Sequence, residues 1–112
     1  MWSYLGAVVT MALGIFGAIA PRRAAQFVSI EPIGGLGLSE VRATYGGLFI
    51  ALGAVCLVVN TPPVYLTAAA AWLGAAVMRL PSLVVDRGSF PRAIGGAVME
   101  LTIGLLLATG AV

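Results

Sequence analysis

Two residues of opposite charge lie within the apolar segments of this chain, and their depths predict that they meet. Glu100 lies near the middle of the last apolar segment, and it is the only charged residue after Arg92. A helix rises about 1.5 Å per residue, so Glu100 lies roughly 12 Å beyond Arg92, near the centre of a hydrocarbon layer about 30 Å thick. A carboxylate at that depth costs roughly 2.5–3.5 kcal/mol to insert, so it requires a partner. Arg79 is the best partner in the sequence.

The residues one turn before and one turn after Glu100 are glycines. On a helix, Gly96 and Gly104 share the face of Glu100 and carry no side chain that would hold a neighbouring helix away. This face is therefore predicted to make close contact with another helix.

The composition is that of an integral membrane protein. Of the 112 residues, 61% are hydrophobic and 9% are charged, and a soluble domain of this size could not bury that much apolar surface. The chain has no histidine, no lysine and a single cysteine, so we expect no metal, no other cofactor, no Schiff-base chemistry and no internal disulfide. A net charge of +2 is too small to indicate a nucleic-acid partner. The expected surroundings are the lipid bilayer.

Apolar segments long enough to cross a membrane as helices are predicted at about residues 2–20, 41–59, 64–85 and 92–111. The first lacks the basic start of a signal peptide and is interpreted as a span. Ser39 suits the N-cap of the second helix, and the turn after Val59, which contains Pro62 and Pro63, makes spans two and three an antiparallel hairpin. The predicted fold is all-α, an integral membrane four-helix bundle in one domain of residues 1–112.

Local signals refine the connections between these spans. Pro81 predicts a kink beside Arg79, because proline removes a helical hydrogen bond. Residues 22–30 are predicted either as a short helix lying on the membrane surface or as a plain loop, followed by a flexible glycine-rich elbow. Asp86 to Ser89 are predicted as the last turn, and Pro91 suits the first turn of the fourth helix.

The arginines predict the orientation of the chain in the membrane. All six (22, 23, 42, 79, 87 and 92) fall on the side that holds the first and third connections. By the positive-inside rule, this side faces the cytoplasm and both termini lie on the non-cytoplasmic side. The chain is therefore predicted to be a multi-pass membrane protein.

Polar residues at the cytoplasmic ends of the spans and in their interior could form a single site. If the helices form a bundle, six residues can converge into a pocket that reaches from the cytoplasmic surface into the membrane: Glu40, Arg42, Tyr45, Arg79, Asp86 and Glu100. In the alternative, the Arg79–Glu100 pair only fixes helix register, Arg42 and Asp86 extend to the interface, and Tyr45 is an interfacial anchor.

The segment Glu40-Val-Arg-Ala-Thr-Tyr-Gly-Gly, followed by Arg79-Leu-Pro-Ser-Leu-Val-Val-Asp-Arg-Gly and then Glu100, resembles a family of small bacterial four-helix membrane proteins of uncharacterised function, related to the DoxX-like proteins. The roles known in DoxX proteins include an accessory subunit of a quinol oxidase. Here Arg87 separates Asp86 from Gly88, and Glu40 stands further from the glycine pair than in DoxX itself. The resemblance implies the same fold and a location in a bacterial inner membrane. It also implies the following matching positions: Glu40, Arg42, Tyr45, Gly46, Gly47, Arg79, Asp86 and Glu100.

Three functions are compatible with this pattern. The leading interpretation is a cytoplasm-facing intramembrane pocket that binds a small amphipathic, lipid-like or quinone-like ligand. A second is an accessory subunit of a larger membrane complex, or a homo-oligomer, in which the polar residues are structural. A third is an enzyme for isomerisation or epoxide chemistry on a lipophilic substrate, with Glu100 or Glu40 as proton shuttle and Tyr45 or Arg79 as electrophile. The sequence leaves open whether the protein is an enzyme, and the catalytic candidates are Glu100, Glu40 and Tyr45.

Overall fold

The computed structural model is built from helices connected by short segments, and it describes residues 1–86 and 90–112. Within these residues there is no β-strand. The elements are, in order, α1 (Trp2–Ile19), α2 (Pro21–Phe27), α3 (Gly34–Arg42), a π-helical segment (Ala43–Gly47), α4 (Leu48–Val59), α5 (Pro62–Val85), α6 (Phe90–Ala108) and a 3-10 turn (Thr109–Ala111).

In the part of the chain that the structure describes, four helical stretches are long and apolar enough to cross a membrane: Trp2–Ile19, Gly34–Val59, Pro62–Val85 and Pro91–Ala111. The second of these joins α3, the π-helical segment and α4. Large apolar side chains cover the outer surface, among them Val58, Leu66 and Leu105. Water would not solvate such a surface well, whereas lipid would, so the structure is that of a multi-pass membrane protein.

Helix α1 packs against the second span, through α4 and the π-helical segment, and against α6. Helix α5 packs mainly against α6. Although only Asn60 and Thr61 separate α4 from α5, these two helices share a much smaller contact. The two termini lie at the same end of the molecule, where Gly110 packs against Ser3 and Tyr65.

Small residues on α1 allow its close contact with the second span. Gly14 and Gly17 are buried and pack directly against the backbone of Tyr45, Gly46 and Ile50. Without side chains between them, the two backbones approach closely, and dispersion contacts replace the hydrophobic effect that is absent between lipid-embedded helices.

A buried hydrogen-bond chain joins α1 to α5. The hydroxyl of Thr10 donates to the carbonyl oxygen of Gly6 at 2.8 Å and accepts from the indole nitrogen of Trp72 at 3.1 Å. Both Thr10 and Trp72 are buried, so their polar atoms would lose solvation without these partners. This link fixes the ring of Trp72 against α1.

The helix starts differ from the sequence-based expectations in two places. The second long helix begins at Gly34 rather than near Glu40, so Ser39 is an internal residue and the predicted glycine elbow is helical. Intrahelical hydrogen bonds satisfy the backbone polar groups of this glycine-rich stretch, which outweighs its weak helix propensity. Helix α5 begins at Pro62, two residues before the predicted start at Val64, because prolines in a first turn lack only N–H groups that have no acceptor there.

The other connections were also predicted from the sequence. Of the two alternatives for residues 22–30, the structure has the short helix, α2. Helix α5 continues through Pro81 to Val85. Pro91 lies in the first turn of α6, as expected. The predicted turn at Arg87, Gly88 and Ser89 lies outside the described residues.

The close approach of α1 to the π-helical segment predicts a large difference between two Gly→Ala variants. A methyl group at Gly17 would collide with the backbone of Tyr45, so we expect Gly17→Ala to destabilise the protein by about 1–3 kcal/mol. At Gly47 the nearest atom to such a methyl group would be the carbonyl oxygen of Arg42 at 4.0 Å, so Gly47→Ala should be neutral or stabilise by up to about 1 kcal/mol. Thermal unfolding in detergent measures both, and equal melting temperatures would contradict the packing.

Candidate functional site

Arg79 on α5 and Glu100 on α6 form a forked ion pair. The Nε of Arg79 donates to Oε1 of Glu100 at 2.6 Å, and its Nη2 donates to Oε2 at 3.4 Å. The carboxylate is buried, with its side chain 10% exposed, while the Arg79 side chain is 39% exposed. The predicted pairing is confirmed, and it is the one ion pair within residues 1–86 and 90–112.

The glycines beside Glu100 make room for this pair. The guanidinium carbon of Arg79 lies 3.1 Å from the position that a Cβ of residue 96 would occupy, so a side chain at Gly96 would displace the arginine. One turn beyond Glu100, Gly104 packs against the side chain of Leu73 on α5. The expected close contact of this face with a neighbouring helix is therefore present, and the neighbour is α5.

The ion pair forms part of the wall of a cavity of about 300 Å³. We call it the aromatic cavity, because five of its lining residues have aromatic rings. It lies among α1, α2, the second span, α5 and α6, and its lining comprises Leu13, Phe16, Ala24, Phe27, Val28, Ile30, Tyr45, Phe49, Trp72, Arg79, Met99 and Glu100.

Ring-to-ring contacts order the walls of the aromatic cavity. Tyr45 and Phe49 meet edge to face with their centroids 5.9 Å apart, and Phe49 lies 5.0 Å from Trp72 across the gap between α4 and α5. Phe16 and Phe27 meet edge to face at 6.3 Å. Such pairs stabilise the packing by about 0.5–1.5 kcal/mol each beyond their buried area. These large rings keep α4 and α5 apart where glycines bring other helices together.

The π-helical segment carries Tyr45 and was not predicted from the sequence. Its backbone lies against Gly17 and Ala18 of α1 through Tyr45 and Gly46, while the Tyr45 ring lines the aromatic cavity. Single π-helical turns are rare and occur frequently at functional sites. The Gly46–Gly47 pair was the available signal, since two glycines weaken the preference for the α-helix at this point.

Comparison with known proteins gives one result that covers nearly the whole chain. A family described as "Domain of unknown function (DUF4345)" matches residues 1–110. The chain belongs to the DUF4345 family. No curated protein and no solved structure matches it. The family brings no assigned activity, so functional inference depends on the geometry of the site.

Three of the six predicted site residues line the aromatic cavity, and three do not. Tyr45, Arg79 and Glu100 are together at its walls. Glu40, Arg42 and Asp86 are exposed and absent from the lining, so this cavity does not bring them together with the other three. The structure shows other contacts for two of these.

Arg42 and Asp86 have partners that explain their positions. The Nε of Arg42 donates to the carbonyl oxygen of Ala18 at 3.3 Å, at the end of α1. Asp86 follows the last turn of α5 and accepts a hydrogen bond of 2.6 Å from the hydroxyl of Ser82. Both side chains bind at helix ends, and neither lines the aromatic cavity.

The aromatic residues that line the cavity were not predicted from the sequence. Trp72 lies two helical turns before Arg79 and therefore on the same face of α5, and Phe49 lies one turn after Tyr45. These spacings were the signal that could have found them. No group of three or more His, Cys, Asp or Glu side chains within the described residues is arranged to hold a metal ion.

The ion pair predicts an asymmetry between single and double replacement. Arg79→Met or Glu100→Leu alone leaves one charge without its partner and should destabilise the protein by roughly 2–3 kcal/mol, less than a fully enclosed pair because Arg79 is partly exposed. The double variant removes both charges and should unfold within about 1 kcal/mol of the wild type. Thermal unfolding of all four proteins in detergent gives the coupling, and additive losses would contradict the pairing.

Proposed function

We propose that this protein binds a small amphipathic molecule in the aromatic cavity, with the polar end of the molecule at Arg79. The observation that carries the proposal is a ring-lined cavity whose wall contains an ion pair with a buried carboxylate. Its volume of about 300 Å³ is at the lower end of the range for small-molecule sites. The apolar walls favour a hydrocarbon or ring-containing body for the ligand.

The charge balance of the site supports a neutral polar group on the ligand. Glu100 compensates the charge of Arg79, so a second anion would meet a neutral pair rather than a free cation. The guanidinium nevertheless carries more N–H groups than the carboxylate accepts, since the hydrogen bonds to Glu100 use Nε and Nη2. An acceptor oxygen of a carbonyl, quinone or hydroxyl group can bind one of the remaining N–H groups of Arg79, and Tyr45 lines the same cavity.

Binding is favoured over catalysis as the role of these residues. A proton shuttle requires a carboxylate that is free to exchange its proton, whereas both oxygens of Glu100 accept hydrogen bonds from Arg79. Glu40, the other carboxylate candidate, does not line the cavity. In the alternative function, the protein is an accessory subunit of a larger membrane complex, as the resemblance to DoxX-like proteins implies. That alternative has the same fold but no ligand in the cavity.

For the orientation, we propose a four-helix bundle in a bacterial inner membrane, with the arginine-bearing end in the cytoplasm and both termini outside. The shared position of the termini supports this arrangement, as do Arg22, Arg23 and Arg42 near the opposite end. The aromatic cavity then lies nearer the cytoplasmic surface, because α2 forms part of its lining.

Trp72 provides a direct test of ligand binding. The chain has two tryptophans, and Trp2 is 63% exposed near the N-terminus, so Trp2→Phe leaves Trp72 as a reporter within the cavity wall. In detergent, we expect a short-chain alkyl benzoquinone to quench the Trp72 fluorescence of this variant. The quenching should saturate as the quinone concentration rises. In the Arg79→Met/Glu100→Leu background, the affinity should fall about tenfold, since a hydrogen bond to a charged group is lost.

Tyr4→Phe is the matched control for Tyr45→Phe. Tyr4 hydrogen bonds with Asn60 at the opposite end of the molecule, so its change should leave quenching unaltered, whereas Tyr45→Phe should weaken it. Quenching that rises linearly with the probe, as simple partition into micelles gives, would contradict the proposal. Equal saturation in the wild type and the double variant would also contradict it.

The orientation is tested by cysteine labelling in intact cells. In a Cys56→Ala background, a cysteine at Ser3 or Val112 should react with a membrane-impermeant maleimide added outside. A cysteine at Gln26, on the exposed surface of α2, should react only after the cells are opened. Labelling of Gln26→Cys in intact cells, with neither terminal site reacting, would reverse the proposed topology.

A further inference from the structure

A second recess lies at the arginine-bearing end and shares walls with the aromatic cavity. It has a volume of about 510 Å³, and the shared residues are Phe27, Val28, Arg79 and Met99. We call this recess the arginine groove, and its other lining residues are Ser29, Arg92, Ala93, Gly95 and Gly96. Two guanidinium groups and no acidic side chain occur among these described lining residues, and Arg92 supplies the uncompensated charge because Glu100 pairs with Arg79.

The charge of Arg92 has no acidic partner among the described residues. Its Nη2 donates to the carbonyl oxygens of Gln26 at 3.0 Å and Phe27 at 3.2 Å, at the end of α2. These neutral acceptors hold the guanidinium in position without cancelling its charge. Within the described residues, Nε and Nη1 make no hydrogen bond, so they remain as donors for a ligand.

Ser29 adds a polar group at a strained position of the groove. Its φ of 61° lies in the left-handed region, where glycine is the usual residue after a helix C-terminus. The backbone hydrogen bonds that follow α2 maintain this turn, with Ser29 N donating to Gln26 O at 3.1 Å and Ile30 N to Ala25 O at 2.8 Å. Because serine occupies a position where glycine would avoid this strain, we expect the Ser29 hydroxyl to have a function.

The floor of the groove changes from polar to apolar along α6. Arg92 lies in the first turn of this helix, and Ala93, Gly95, Gly96 and Met99 continue from it towards the depth of Glu100. A Cβ at Gly95 would meet no atom within 4 Å, so this part of the floor is open space. The groove therefore has the polarity gradient of a molecule with a charged head and a hydrocarbon chain.

We infer that the arginine groove binds an anionic phospholipid, with its phosphate at Arg92 and Ser29 and an acyl chain along Gly95, Gly96 and Met99. Guanidinium groups bind phosphate with charge-assisted hydrogen bonds, and no described carboxylate compensates the charge of Arg92. A soluble anion would leave the apolar floor uncovered, whereas a lipid covers both parts. This inference does not depend on a ligand in the aromatic cavity, since the two recesses differ in charge.

The test measures lipid binding to the detergent-purified protein by native mass spectrometry. Phosphatidylglycerol, phosphatidylcholine and inorganic phosphate are the three probes. We expect phosphatidylglycerol to bind at one site, with affinity about tenfold above that of phosphatidylcholine, because the choline group opposes the arginines. Inorganic phosphate should neither bind measurably nor displace the lipid.

Paired variants separate a built groove from general attraction to a positive surface. Arg92→Gln should lower phosphatidylglycerol affinity about tenfold, whereas Arg23→Gln, which makes the same charge change on α2 outside the groove lining, should change it less than twofold. Gly95→Leu should fill part of the floor, and its Cβ would meet no atom within 4 Å. Its control is Gly74→Leu, at an equally open glycine on α5, which should bind lipid normally.

The result that would overturn the inference is an equal loss in Arg92→Gln and Arg23→Gln, or unchanged binding in Gly95→Leu. Equal binding of phosphatidylcholine would exclude selection for an anionic head. Displacement of the lipid by inorganic phosphate would show a site for a soluble anion instead. If Arg92→Gln fails to fold, the Gly95→Leu and Gly74→Leu pair still decides the outcome.

Discussion

The carboxylate of Glu100 is the constraint on which the site depends. A charge inside the membrane is tolerated only with a partner that satisfies it, and the partner must come from another helix. Arg79 meets this need because Gly96 leaves room for its guanidinium and because α5 and α6 pack along much of their length. The same ion pair forms the polar part of the wall of the aromatic cavity. Its arginine also lines the arginine groove, so the pair lies where the two recesses meet.

Two kinds of helix contact together produce the cavity. Glycines on α1 bring it against the second span, and the rings of Phe49 and Trp72 separate α4 from α5. The second span therefore lies close to α1 and further from α5, and space remains beside Tyr45. In lipid, where apolar surfaces gain little by meeting one another, such differences in side-chain size decide which helices touch.

Depth and spacing in the sequence were sufficient to predict the apolar helices, the Arg79–Glu100 pair and the contact face around Gly96. They were not sufficient for Asp86, which follows the last turn of α5 two turns beyond Arg79, or for Arg42, whose depth allowed a shared pocket but whose direction depends on rotation about its helix axis. That rotation is fixed by neighbours distant in sequence, such as Ala18 for Arg42. The π-helical segment was missed for a similar reason, since contact between Gly46 and α1 determines its backbone as much as local propensity does.

The hydrogen bond from Trp72 to Thr10 reduces the conformational entropy that the Trp72 side chain would lose when a molecule binds at the cavity wall. Thr10 in turn donates to Gly6, so the indole is held at the end of a buried chain and its rotamer is already selected. Ordering a mobile side chain on binding typically costs about 0.5–1.5 kcal/mol. A molecule that stacks on Trp72 avoids that cost, because folding has immobilised the ring beforehand.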